Sequence, residues 1–311
     1  MKGSAKYAHL ALLSVGVIYA GNYFVAKGLM PDLIGPSGFI ALRVVCAGFM
    51  FHVLASFLGR EKIDRSDYSR LALCGLTGVA INQLCFFNGL ALTSAVHASL
   101  IMTINPICVL LASALLLGSS ITGRKISGIA IGGVGAATLL WLSSGVDSGI
   151  DGSSIKGDLL VLTNALAYGV YLVIVKPLMV KYKPITVISW VFLFGAVFAL
   201  PFGVGEVIEI DWKDFEAVHW QGIIYVIVGT TFMAYLLNIY ALGIVEPTVV
   251  SIYIYLQPII VTVVAGGLAY LGYSKYSDDF TIETALSAIA IFTGVWLVSV
   301  PSGWLNNEIK V

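Results

Sequence analysis

Residues 19–27 read Tyr-Ala-Gly-Asn-Tyr-Phe-Val-Ala-Lys, and residues 168–176 read Tyr-Gly-Val-Tyr-Leu-Val-Ile-Val-Lys. Both lie in long apolar segments, and both place a Tyr and a Lys eight residues apart, at an offset of 149. A second pair follows in each half. Asn105-Pro106 and Gln257-Pro258 each set an amide and a proline near the middle of an apolar run. Recurrence at about half the chain length is the signature of two copies of one unit.

The solvent for that unit is lipid. Of 311 residues, 59% are hydrophobic and only 11% charged, with a mean hydropathy of +0.95. A soluble domain carries about a quarter charged residues, so this chain lacks the polar cover a water-facing surface needs. The formal net charge is zero with no basic patch, which argues against a nucleic-acid partner and against disorder. Cys46, Cys74, Cys85 and Cys108 all fall in apolar stretches, where cysteine behaves as a small hydrophobe. No CxxC or Cys/His spacing calls for a metal, and nothing calls for a cofactor.

A spanning helix takes about 20 mostly apolar residues. The expected spans are 7–28, 35–58, 70–91, 95–117, 126–143, 157–176, 185–204, 219–241, 248–271 and 282–300. The fold class is therefore all-α integral membrane, with ten transmembrane helices as two five-helix repeats. The first repeat covers 1–145, an extracytoplasmic linker 146–156, and the second repeat 157–311. Lys2 and Lys6 ahead of an apolar run resemble the start of a signal peptide. The run continues to about Met30 and matches the span around Tyr168, so it reads as a retained helix.

Orientation follows from the basic residues. A cytoplasmic N-terminus puts Lys2, Lys6, Arg60, Lys62, Arg65, Arg70, Arg124, Lys125, Lys176, Lys181, Lys183 and Lys310 inside. Only Lys27, Lys156, Lys213 and Lys275 then fall outside. Both termini are expected to be cytoplasmic. Five helices per unit make the second copy enter from the opposite face, so the repeats are inverted. Duplicated membrane units around a central site are the usual build of a small-molecule carrier.

The candidate path is a set of amides and phenols inside apolar helices: Asn22, Asn82, Gln83, Asn105, Tyr168, Tyr171, Tyr235, Asn238, Tyr255 and Gln257. An amide facing lipid is costly, so these face protein or a cavity. The plainer reading of any one is an interhelical hydrogen bond. Asn88, Asn164 and Tyr19 belong to the same polar set. Each Pro frees the carbonyl four residues earlier, Met102 and Ile254, which the neighbouring amide either satisfies or leaves while it faces a substrate.

Arg43 is the one strongly basic residue within a span. It either anchors structure, by snorkelling or by pairing with an outer acid such as Asp32 or Asp158, or recognises an anion. His97, opening the fourth span, is the better candidate for proton sensing than His52. No acid falls at mid-membrane, which favours a facilitator or exchanger over a proton- or sodium-coupled pump. The small-residue stripe Gly128, Gly132, Ala136 serves internal packing or a homodimer seam. Gly118–Lys125 only brushes the phosphate-loop pattern, because it lacks Gly-Lys-Ser/Thr and follows a membrane helix.

Taken in order, Asn22–Lys27, Pro36 with Leu42-Arg43, Asn88–Ala95 through Asn105-Pro106, Ala241-Leu242-Gly243 and Gln257-Pro258 resemble the drug/metabolite transporter superfamily, in its EamA-type ten-helix branch. The resemblance covers nearly the whole chain. It implies two repeats around a central cavity and export or facilitated exchange of amino acids and other metabolites. The family often has Gly-Glu where this chain has Gly118-Ser119 and Gly272-Tyr273, so no role of that Glu carries over.

The expectation is a multi-pass transporter of a bacterial inner (cell) membrane that moves a small polar metabolite by alternating access. Its partners are that substrate and the lipid bilayer. A nucleotide-sugar or sugar-phosphate antiporter is the alternative, although it needs several cavity Lys or Arg and only Arg43 qualifies. An intramembrane enzyme is the alternative from another class, and no acid/base pair at membrane depth supports it.

Overall fold

The computed structural model describes residues 5–59, 61–118, 122–145, 153–245, 247–272 and 282–299. Regular structure among the described residues is entirely helical. The helices are α1 (Ala5–Leu29), α2 (Pro36–Leu58), α3 (Arg65–Leu92), α4 (Ala95–Leu116), α5 (Gly123–Gly145), α6 (Ser153–Lys181), α7 (Pro184–Ile208), α8 (Ala217–Ile244), α9 (Val249–Leu268) and α10 (Ile282–Ser299). Among the described residues, eight helices, α1–α4 and α6–α9, are long and apolar enough to cross a membrane. α5 and α10 stand where the other two expected spans fall. The chain ends, most of the expected linker, and Ser119 and Tyr273 lie outside the described residues.

Helices are the only option for an open chain in lipid, where every backbone group must bond within its own segment. Outward faces carry Phe57, Val180 and Leu115, each 84% exposed, as suits hydrocarbon contact. Starts and stops use local chemistry. Pro36 and Pro184 sit in the first turns of α2 and α7, where a missing N–H costs nothing. Gly118 ends the helix from α4 at φ +66°, the left-handed cap that glycine adopts without penalty.

Packing follows a two-fold pattern. α1 packs on α8 and α9, and α6 packs on α3 and α4. α2 pairs with α7, and α5 with α10. Each first-repeat contact thus has its second-repeat counterpart. Small residues permit these approaches, since helices in lipid associate by close packing rather than by hydrophobic drive. A Cβ on Gly75 would stand 2.7 Å from the Gly195 nitrogen, and one on Gly89 would stand 2.7 Å from the Gly157 oxygen. The stripe in α5 also packs internally, with Gly132 backed against Gly294 of α10.

Both α4 and α9 are broken at the amide-proline pair. In α4 the helix Ala95–Met102 ends in a turn at Thr103-Ile104, and Asn105–Leu117 begins anew. In α9 a 3₁₀ turn at Tyr253–Tyr255 precedes Leu256–Tyr270. α3 and α8 carry a matched irregularity of another kind: π-helical turns at Leu76–Ile81 and Tyr225–Met233. Such wide turns are rare and cluster at functional sites.

Candidate functional site

The broken and π-turned helices of both repeats border one central cavity of about 70 Å³. That is below the roughly 300–1,000 Å³ usual for ligand sites, so a cargo larger than a few waters requires the wall to open. Its wall comes from α1 (Tyr19, Asn22, Tyr23), α2 (Arg43), α3 (Asn82, Gln83, Phe86, Phe87), α4 (Met102), α6 (Asn164, Tyr168), α8 (Tyr235) and α9 (Ile254, Gln257). A smaller adjoining space is lined by Asn238 together with Tyr19, Tyr168 and Gln257.

The polar wall is cross-braced between the repeats. Tyr235 hydroxyl lies 3.0 Å from the Gly78 carbonyl and 3.1 Å from Asn82 Oδ1, and accepts from Gln83 Nε2 at 3.1 Å. Gly78 is in the π turn of α3, so this phenol from the second repeat occupies a carbonyl that the widened helix exposes. Asn164 Nδ2 donates to the Asn82 carbonyl at 2.7 Å, and Tyr23 hydroxyl donates to Gln257 Oε1 at 2.9 Å. Asn238 Nδ2 donates to Tyr168 hydroxyl at 2.7 Å. These bonds hold the buried amides and phenols to one another, as burial requires, but Asn22 Oδ1, Gln83 Oε1 and Asn164 Oδ1 are left without a partner.

Arg43 departs from both structural pairings expected of it. It is 3% exposed, so it does not snorkel, and its bonds go to threonines rather than to Asp32 or Asp158. Nε donates to Thr231 Oγ1 at 2.8 Å, Nη2 reaches Thr230 Oγ1 at 3.5 Å, and the guanidinium lies 4.2 Å from the Phe87 ring centroid. Both threonine hydroxyls in turn donate to the Val226 carbonyl, within the π turn of α8. Arg43 therefore pins that turn. Asp158 instead accepts from Thr93 hydroxyl and faces His97 Nδ1 at 3.4 Å, which places His97 at one end of the helix bundle and not in the cavity.

Of the expected path residues, Asn22, Asn82, Gln83, Tyr168, Tyr235 and Gln257 line the cavity, and Asn238 lines the space beside it. Asn105, Tyr171 and Tyr255 line neither. Asn105 Nδ2 donates to the Ala165 carbonyl at 2.9 Å, so it ties α4 to α6 rather than capping Met102. Tyr171 packs against Tyr168 with ring centroids 5.9 Å apart, and Tyr255 meets Phe292 at 5.8 Å. Asn88 takes the plain interhelical role, donating to Ser37 hydroxyl at 3.1 Å. Phe86 and Phe87 were not singled out from sequence, and Met102 and Ile254 only for their freed carbonyls, because apolar side chains in an apolar helix carry no mark of which way they face.

A cavity lined by amides, phenols and apolar side chains within a multi-helix membrane bundle, with both repeats contributing equivalent helices, is the build of a carrier. The EamA-like transporter family model matches residues 6–141 and again residues 155–300. The chain belongs to the EamA-like transporter family and is a multi-pass membrane transporter. An "Uncharacterized transporter" of Archaeoglobus fulgidus is 25% identical over 94% of this chain and 96% of its own. A "Probable terminal-alkyne amino-acid exporter" of Streptantibioticus cattleyicolor is 29% identical over 61% of this chain and 62% of its own. A solved crystal structure matches with a TM-score of 0.62 over 98% of this chain and 99% of that one, at 17% identity. That last likeness is one of fold.

Proposed function

We propose that this transporter moves an amino acid or closely related small polar metabolite across a bacterial cell membrane, by export or exchange, through alternating access of the central cavity. The observation that carries the reading is the wall itself. Amides and phenols from α1, α3, α6, α8 and α9 meet there among aromatic and aliphatic surface, the mix that orients a small ligand while supplying contact area. Among the described wall residues Arg43 is the one cation and no acid is present. That composition disfavours a phosphorylated cargo, whose charge calls for several Lys or Arg, and it offers no acid/base pair for catalysis. The named amino-acid exporter among the relatives points the same way.

The test is counterflow in proteoliposomes loaded with a mixed pool of amino acids, set against a pool of sugar phosphates and nucleotide sugars. Accumulation of a labelled amino acid is the expected result. Exchange of phosphorylated compounds alone overturns the reading.

A further inference from the structure

Arg43 has an atom that the protein leaves unused. Nη1 is fully buried and has no hydrogen-bond partner, although Nε and Nη2 are held by threonines. The side chain lines the central cavity, and no carboxylate lines it among the described residues. A guanidinium taken out of water without a counter-charge is strongly unfavourable, and its planar fork matches a carboxylate. Phe87 beneath the plane fixes its tilt.

The same wall also has three unused acceptors. Asn22 Oδ1, Gln83 Oε1 and Asn164 Oδ1 are buried without partners. Two of these orientations are dictated by neighbours. Asn164 must turn its NH₂ to the Asn82 carbonyl, and Gln83 turns its NH₂ to the Tyr235 hydroxyl, which leaves the oxygens free. An ammonium has three donors and no acceptor, so three orphan oxygens suit it.

We infer that Arg43 seats the carboxylate of the substrate, while the amide oxygens of Asn22, Gln83 and Asn164 seat its ammonium, so that the site selects a zwitterion over either half alone. The inference rests on the proposed transport function and adds what the cavity reads. One guanidinium balances one carboxylate, whereas a phosphate dianion would leave an uncompensated charge in a low-dielectric space. Asn82 and Gln257 apart, the rest of the wall is aromatic and aliphatic, with Tyr23 edge-on to Phe86 at 5.3 Å, so a small apolar side chain completes the fit.

The experiment measures binding by isothermal titration to the purified full-length protein in nanodiscs. A panel of apolar α-amino acids is titrated first. For the tightest member, the decarboxylated amine and the deaminated acid follow. Both truncated ligands are expected to bind at least about tenfold more weakly, because each leaves buried polar groups unpaired. In Arg43→Gln the preference for the amino acid over its amine is expected to vanish. Arg43→Lys keeps the charge without the fork and is expected to retain part of that preference. Equal binding of the amine and the amino acid to the wild type overturns the carboxylate seat, and equal binding of the acid overturns the ammonium seat. Both wild-type comparisons hold even if the Arg43 variants fail to fold. A wild type that binds no amino acid and carries none in counterflow overturns the transport reading, and this inference with it.

Discussion

Lys27 and Lys176 make the same contact at equivalent places in the two repeats. Lys27 Nζ donates to the carbonyls of Leu90, at 3.4 Å, and Thr93, at the end of α3. Lys176 Nζ donates to the carbonyls of Leu242 and Val245, at 2.7 and 2.8 Å, at the end of α8. A helix C-terminus has unbonded carbonyls and a negative dipole end, and a lysine from the neighbouring helix answers both. The Tyr-x₇-Lys recurrence in the sequence is thus, at its Lys, a capping device.

Removing either cap strands carbonyls in a half-buried site, at a cost of about 1–3 kcal/mol. Lys27→Met and Lys176→Met are each expected to lower the thermal unfolding midpoint in detergent by a few degrees, and by similar amounts. Unchanged midpoints in both variants contradict the capping role.

His9 and Asp158 also hold one place in the two repeats, 149 residues apart, and each touches the broken helix of the other repeat. Asp158 faces His97 of α4, and His9 Nδ1 is 2.8 Å from the Tyr253 hydroxyl of α9. These contacts lie at opposite ends of the bundle and are expected to favour closure at their own ends. Losing about 1 kcal/mol on one side shifts the ratio of the two open states about fivefold. Asp158→Asn is expected to speed maleimide labelling of Met102→Cys from the Lys27 side, in a background lacking the four native cysteines. Tyr253→Phe is expected to speed it from the His9 side. Equal rates with and without these changes contradict the latch account.

The crossing of α3 and α6 depends on a glycine pair. A Cβ on Gly157 would stand 2.8 Å from the Gly89 oxygen and 2.9 Å from the Leu92 carbonyl carbon, and backbone cannot rotate away. Gly89→Ala and Gly157→Ala are each expected to destabilise the protein by about 1–3 kcal/mol. Gly133→Ala meets nothing within 4 Å and is expected to stabilise its helix by up to about 1 kcal/mol. Thermal melts in detergent check the three side by side, and a neutral Gly89→Ala refutes the close crossing.

Much of this was legible in the sequence wherever burial carries a penalty. Asn22, Asn82, Gln83 and Gln257 announce an interior because amides are costly in lipid, and each lines the cavity. The duplication was legible because the same helix ends need the same caps. What escaped was phase. The turn at Thr103-Ile104 resets the face of the helix after it, so Asn105 points to the Ala165 carbonyl, whereas Gln257, one methylene longer and after a 3₁₀ turn, reaches the cavity. Tyr171 is the repeat partner of Asn22, yet its ring packs on Gly78. The π turns that precede Asn82 and Tyr235 have no signal in composition, and the side chains that meet them, Tyr235 at Gly78 and Arg43 at Thr230 and Thr231, come from distant helices.

The most direct measurement is amino-acid counterflow in proteoliposomes with the wild type, Asn22→Ala, Gln83→Ala and Asn164→Ala, and with Asn88→Ala as the variant outside the cavity. Initial exchange at low substrate is expected to fall by about tenfold in each cavity variant, the rate equivalent of one lost buried hydrogen bond of about 1.4 kcal/mol. Asn88→Ala, which breaks a bond to Ser37 away from the wall, is expected to retain exchange within about twofold of wild type. Wild-type exchange in all three cavity variants, with folding intact, contradicts the central claim that this cavity is the transport site.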